Sequence, residues 1–249
     1  MTCYDLVKNP QKTFRDCVLL QRFMGKNKLR RFAEMKLWNN VFEPTLEPHP
    51  QEAFPLKGKW HTDYFKNSNP IVLELGCGKG EYSVGLAKHY PNKNFIGVDI
   101  KGSRMFVGAK EALDENLGNV AFLRTKIDFI DAYFEAGEVD EIWLTFSDPQ
   151  PVKPRKRLTS EQFIARYRRI LKPGGIVHLK TDSDILFEST EEQIKEHGYD
   201  LIELTWDLYH SMPEDLDPTI REILHIKTHY EQLFTAKGSV IKYCSFRIH

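Results

Sequence analysis

Apolar and polar positions along the chain fall into two alternating periods. Ile71–Leu75, Asn94–Asp99, Val120–Arg124, Glu141–Phe146 and Ile176–Lys180 are short, mostly apolar runs that read as buried strands. Between them, at about residues 80–90, 103–116, 128–136 and 160–171, apolar positions recur at helical spacing. Strands alternating with helices predict an α/β fold: a doubly wound, mostly parallel sheet with helices on both faces. Gly118-Asn119 and Lys172-Pro173-Gly174-Gly175 are helix stop signals. Asp182–Glu196 reads as a further helix, closed by Gly198. Asp200–Leu208 and Val240–Phe246 alternate as strands around a helix near Ile223–Phe234. They predict an antiparallel pair at one sheet edge and bring the expected sheet to seven strands.

Before Ile71 the pattern weakens. Residues 1–23 show no clear period and read either as a mobile arm or as an upstream extension, since Met24-Gly25-Lys26 has the form of a start. Residues 25–37 are basic, with Leu29, Phe32 and Met35 interspersed. Pro44, Pro48, Pro50 and Pro55 hold the next segment extended, because proline fixes φ and lacks an N–H donor. Trp60, Tyr64 and Phe65 read as cover for an edge of the main domain. The expected organisation is a disordered N-terminal extension over 1–24, a basic arm and edge cover over 25–69, and the main domain over 70–249.

The sharpest chemical signal lies at Ile71–Gly80, where an apolar run ends in Gly76, Gly78 and Gly80, spaced G-x-G-x-G, and a helical pattern follows. Glycines let the backbone turn tightly and approach a ligand closely. Strand, glycine turn and helix N-terminus together form a nucleotide-binding corner. In doubly wound sheets ligands sit beyond the C-terminal strand ends. Those ends read Glu74–Gly80, Asp99, Arg124–Asp128, Ser147-Asp148-Pro149 and Thr181-Asp182. Asp99 suits both hydroxyls of a ribose, which fits NAD and S-adenosyl-L-methionine equally. Glu81, however, stands where the dinucleotide fingerprint wants its last glycine, and no G-K-[ST] follows. A carboxylate at Glu74 repels pyrophosphate and suits an ammonium group, which favours the methyl donor.

Composition narrows the class. A chain of 249 residues suits one large α/β domain with extensions, and 41% hydrophobic content suffices for a core. No apolar run approaches the roughly 20 residues of a membrane span. No secretory h-region opens the chain, and Cys3, Cys17, Cys77 and Cys244 form no C-x-x-C pair. The expectation is a cytoplasmic enzyme with no metal and no membrane partner, in which Cys77 is a small filler of the glycine turn. Formal net charge is zero but segregated. Lys8–Lys36 and Lys153–Lys172 are basic blocks, and Asp182–Glu222 is acidic. Two basic blocks, one beside a candidate strand end, point to nucleic acid.

Leu73–Gly80, Phe95-Ile96-Gly97-Val98-Asp99 and Lys172–Gly175 are similar to motifs of class I S-adenosylmethionine-dependent methyltransferases. Phe146-Ser147-Asp148-Pro149-Gln150-Pro151 with its basic run, His178-Leu179-Lys180-Thr181-Asp182, and Ile226–Glu231 narrow this further. Over about residues 25–245 the chain resembles the bacterial tRNA (guanine-N7)-methyltransferases, the TrmB-like family. The resemblance implies a Rossmann-like fold and a tRNA partner, while the oligomeric state, monomer or homodimer, is left open by the sequence. It also implies methyl transfer from S-adenosyl-L-methionine to N7 of a guanine in the tRNA variable loop, leaving 7-methylguanosine and S-adenosyl-L-homocysteine. By position it implies a donor site of Glu74, Gly76, Gly78, Asp99, Lys126, Ile127 and Asp148, with Asp148 catalytic. Substrate-binding positions are Lys153, Asp182, Thr228 and Glu231.

Three departures accompany it. Lys126 stands where the family has an acid for the adenine amine, so that contact falls to the backbone of Ile127, to Asp128, or is absent. Val152 stands where a substrate lysine is expected, so Lys153 substitutes, and Gln150 replaces the usual tryptophan. The implied chemistry needs no general base, because guanine N7 has an in-plane lone pair and no proton; positioning suffices. Asp148 and Asp182 suit the Watson–Crick edge of guanine.

The rival reading is a methyltransferase acting on an exocyclic base amine of nucleic acid. Its D-P-P-Y motif resembles Asp148-Pro149-Gln150-Pro151, but the stacking aromatic is missing. A dehydrogenase is disfavoured by Glu74 and Glu81, and a non-catalytic RNA-binding module has no need of carboxylates at three strand ends. Plainer roles also exist: His178 as a packed strand residue, Asp182 as a helix cap, and Thr228 with Glu231 as a surface pair.

Overall fold

A computed structural model of the protein describes residues 27–44, 53–211, 218–236 and 238–249. The expected extension over 1–24 lies outside them. The chain divides after Asn39. In the first unit the described residues carry one helix, α1 (27–35), with an ion pair between Arg30 and Glu34 one turn apart. The second unit, Asn40–His249, holds the sheet, so the described residues 40–44 and 53–69 share a unit with the strands that follow them.

The sheet strands are β1 (Val41–Phe42), β2 (Ile71–Leu75), β3 (Asn94–Asp99), β4 (Val120–Arg124), β5 (Val139–Thr145), β6 (Leu171–Thr181), β7 (Asp200–Thr205) and β8 (Lys242–Arg247). Their order is β1-β4-β3-β2-β5-β6-β8-β7. Pairs from β1 through β6 are parallel, and β8 runs antiparallel between β6 and β7. The eighth strand, β1, is too short to show a period. The helices are α2 (Glu81–His89), α3 (Gly102–Asp114), α4 (Glu161–Ile170), α5 (Asp184–His197), α6 (Pro218–Leu224) and α7 (His229–Thr235). Gly198 closes α5 in the left-handed conformation, as its position predicts.

All five residues of β2 are buried, and β3 and β4 are buried up to their last residues. Apolar runs without polar alternation are what a strand covered on both faces requires. Strand order reverses between β2 and β5, which stay parallel: the chain winds outward through β3 and β4, then crosses back to β5 on the other side of β2. This is the switch point where a crevice opens beyond the strand ends. Gly80 closes the turn after β2 at φ 75°, where a Cβ would lie 2.5 Å from the Phe122 ring. No other residue fits there without moving Phe122.

An aromatic cluster covers the sheet beyond β4. Trp60–Phe65 forms a single π-helical turn. The Trp60 ring stacks on Phe134 at 5.6 Å and meets Phe42 edge-on at 5.1 Å. Its indole N–H donates to the Tyr133 carbonyl.

Two helical expectations change. Residues 127–132 form a 3₁₀ segment with a kink at Phe129 rather than a helix over 128–136. Arg166 Nε takes the Asp128 carbonyl at 2.8 Å, which withdraws that acceptor from a helical ladder. The helix expected near 223–234 is two helices. Lys180 Nζ takes the carbonyls of Leu224 (2.7 Å) and Ile226 (3.2 Å), and Thr228 starts α7 by capping the Glu231 N–H.

Candidate active site

A cavity of about 660 Å³ opens at the switch point. Glu74, Gly76, Gly78, Asp99, Lys126, Ile127, Asp148, Lys153 and Thr228 all line it. The ends of four strands, β2 to β5, thus converge on one space, as parallel winding dictates. Its size is that of a small-molecule site.

Glu74 is buried at the end of β2. Its Oε2 accepts from the Ser83 N–H (2.9 Å) and the Ser83 hydroxyl (2.5 Å), and its Oε1 accepts from the Thr145 hydroxyl (2.5 Å). Burial pushes its pKa up to about 7, against the pull of these hydrogen bonds. Among the described residues Asp99 is held by backbone: Oδ2 accepts from Gly78 N–H (2.9 Å) and Oδ1 from Lys101 N–H (2.7 Å). The glycine turn therefore fixes the acid at the end of the neighbouring strand. Cys77 is buried in that turn, and burial raises its thiol pKa, which disfavours the thiolate and fits a small filler of the turn.

Asp148 is exposed on the turn after β5, and its Oδ1 accepts from the Gln150 N–H at 3.0 Å. The flanking residues Phe146 (φ 50°) and Gln150 (φ 45°) are both left-handed, an unfavourable conformation for side-chain-bearing residues. Arg157 offsets this. It is buried, and its Nε donates to the Pro149 carbonyl at 3.0 Å. Arg157 therefore points inward to hold the turn, while Lys153 and Arg155 are exposed. Lys156 pairs with Asp128 at 3.1 Å. Lys126 is exposed, with its ammonium 5.6 Å from the Phe129 ring centre.

Asp182 and Glu231 lie outside the cavity lining. Asp182 is half-buried at the end of β6, and burial raises its pKa. It does not cap α5; Ser183 does, accepting from the Leu186 N–H. Glu231 is no surface residue: it is fully buried, with Oε2 2.9 Å from Lys180 Nζ and Oε1 accepting from the Tyr209 hydroxyl. Thr228, one turn away, reaches the cavity. His178 is a packed strand residue, stacked on Trp143 at 4.0 Å, and burial lowers its pKa to about 4.

A family profile described as a putative methyltransferase matches residues 68–244. A tRNA (guanine-N(7)-)-methyltransferase of Bacteroides fragilis is 55% identical over 223 residues, covering 90% of this chain and 86% of that one. Proteins of the same name from Porphyromonas gingivalis (51% identity; 85% and 86% covered) and Limosilactobacillus reuteri (37%; 80% and 92%) also match. The chain belongs to this family.

Among solved structures, the 16S rRNA methyltransferase KamB superposes with a TM-score of 0.57, covering 80% of this chain and 95% of that one at 16% identity. A 16S rRNA adenine methyltransferase of Catenulisporales acidiphilia, solved with its cosubstrate SAM, gives 0.50 at 14% identity over 82% and 92%. At such identities the likeness is one of fold: the class I methyltransferase sheet.

The cavity residues fit a nucleoside that carries an ammonium group. Acids stand at the ends of β2 and β3. The Thr125 and Ser147 hydroxyls, both on lining residues, are buried without a hydrogen-bond partner among the described residues. Buried polar atoms of this kind call for a partner. Ser83, Thr145 and Lys180 carry roles that the sequence does not announce, and Arg157, expected from its basic run to grip tRNA phosphate, is buried against the Pro149 carbonyl instead. Thr145 and Lys180 act across 71 and 44 to 51 residues, which no local spacing encodes, whereas Ser83 and Arg157 reach only nine and eight residues back across a turn.

Proposed function

We propose that this chain methylates N7 of a guanine in tRNA, with S-adenosyl-L-methionine as donor, to give 7-methylguanosine. One observation carries the reading: Glu74, Asp99 and Asp148 share a single cavity at the switch point, in a chain whose relatives bear that name. The donor, when bound, supplies an electrophilic methyl group on a sulfonium centre. Glu74 accepts from its ammonium group and Asp99 from the ribose hydroxyls. Asp128 is engaged by Lys156, so the backbone of Ile127 takes the adenine amine in place of the acid that Lys126 displaces.

Asp148 accepts from the ring N–H and amino group of guanine. This turns the opposite, N7 edge toward the methyl. Its negative charge also offsets the positive charge that develops on the methylated ring. Lys153 and Arg155 hold tRNA phosphates at the rim. Thr228 contacts the substrate from the cavity wall, Glu231 supports it from behind, and Asp182 extends the site at the end of β6. Incubation with labelled donor and unmodified tRNA, followed by nucleoside analysis, tests the reading. Label in 7-methylguanosine is expected; label in an amine-methylated nucleoside instead supports the rival chemistry.

A further inference from the structure

We infer that Ser83 and Thr145 are positioning residues for methyl-donor binding: their hydroxyls favour the charged form of the Glu74 carboxylate and aim it at the donor's ammonium group. The inference rests on the methyl-donor reading of the cavity.

Three elements meet at this carboxylate. Glu74 comes from β2, Ser83 from the first turn of α2, and Thr145 from the last residue of β5. Both hydroxyls lie 2.5 Å from it, one on each oxygen, and the Ser83 N–H adds a third bond at 2.9 Å. Both side chains are themselves buried. Gly97 on β3 makes the room, since a Cβ there would lie 2.9 Å from Ser83 Oγ.

A carboxylate offers about four acceptor sites. Three are filled, which leaves one for a ligand and fixes its direction. The titratable groups facing Glu74 are Asp99 from β3, Cys77 from the glycine turn and Tyr82 from α2. All are acids, so none supports its charge. No lysine or arginine pairs with Glu74 among the described residues. Only these hydroxyl and amide donors oppose neutralisation by burial. Thr145 lines the cavity, whereas Ser83 acts from behind it. Removing a hydroxyl therefore does more than loosen packing. It moves Glu74 toward its protonated form, which repels no ammonium but attracts none.

The test is calorimetric titration of S-adenosyl-L-homocysteine into wild type, Thr145→Val, Thr145→Ser and Ser83→Ala between pH 6 and pH 8.5. Thr145→Val is expected to weaken binding about fivefold at pH 7 and to recover most of it by pH 8.5, its pH midpoint moving up by about one unit from about 7. Ser83→Ala should shift the same way, and Thr145→Ser, which keeps the hydroxyl, should stay near wild type. 5′-Methylthioadenosine, which lacks the ammonium group, should bind wild type and Thr145→Val alike. Equal affinity of Thr145→Val and wild type at pH 7, or a loss of the same size at every pH, overturns the inference. Absence of binding by wild type at any pH instead overturns the donor reading itself.

Discussion

Glu74 combines burial with three hydrogen-bond donors and, among the described residues, no paired cation, and that combination sets its titration. Its pKa is near 7 in the fold against an ordinary value of 4.5. Between those values the folded chain binds a proton that the unfolded chain does not. Stability therefore falls as pH rises from about 4.5 to about 7. Glu74→Gln removes this slope. The variant should be more stable than wild type by about 1–3 kcal/mol at pH 8, with the gap closing toward pH 4.5. Urea unfolding of both proteins at pH 5 and pH 8 checks it. His178, whose lowered pKa works in the opposite direction over pH 6.5 to 4, contributes equally to both and cancels. The gain should come with loss of donor affinity, since the acid serves binding at the expense of the fold. The position of Glu74 and Asp99 before and after the glycine turn was legible in the sequence, because strand end and turn are local. The titration of Glu74 was not, because it is set first by burial, which the packing of the whole sheet decides, and then opposed by Thr145, 71 residues away.

At the scale of elements, β2, β3 and β4 keep the bounds that their apolar runs predict, while α6 and α7 do not. The difference is physical. A buried strand is written in consecutive residues. The break between α6 and α7 is made by Lys180, which reaches from β6 to two carbonyls and to Glu231. Taken alone, Thr228 and Glu231 form a cap-and-carboxylate spacing, and only the tertiary partner turns Glu231 inward. Removing one member of a buried ion pair leaves the other uncompensated. Glu231→Gln should thus cost about 3–5 kcal/mol in urea unfolding. It should also raise the KM for tRNA, because Thr228 and Phe234 on the cavity wall are carried by the same helix, one at its N-cap and one in its last turn.

For the whole molecule, zero net charge conceals a division that matters for a polyanionic partner. The basic run after Asp148 looks uniform in sequence, yet it splits in space. Arg155 faces solvent and Arg157 faces the Pro149 carbonyl. Arg155→Ala should lower the salt slope of tRNA binding by about 0.7–0.9, the loss of one phosphate contact, with donor affinity unchanged. Arg157→Ala should leave the slope nearly intact and lower kcat, because it releases the turn that carries Asp148. Titrations at several salt concentrations with steady-state kinetics separate the two. The central claim is that the acceptor atom is N7 of guanine. It is met most directly by comparing a tRNA transcript with the same transcript made with 7-deazaguanosine, which keeps the Watson–Crick edge and lacks only that nitrogen. With labelled donor, label should enter the first as 7-methylguanosine and be absent from the second. Equal labelling of both would contradict the account.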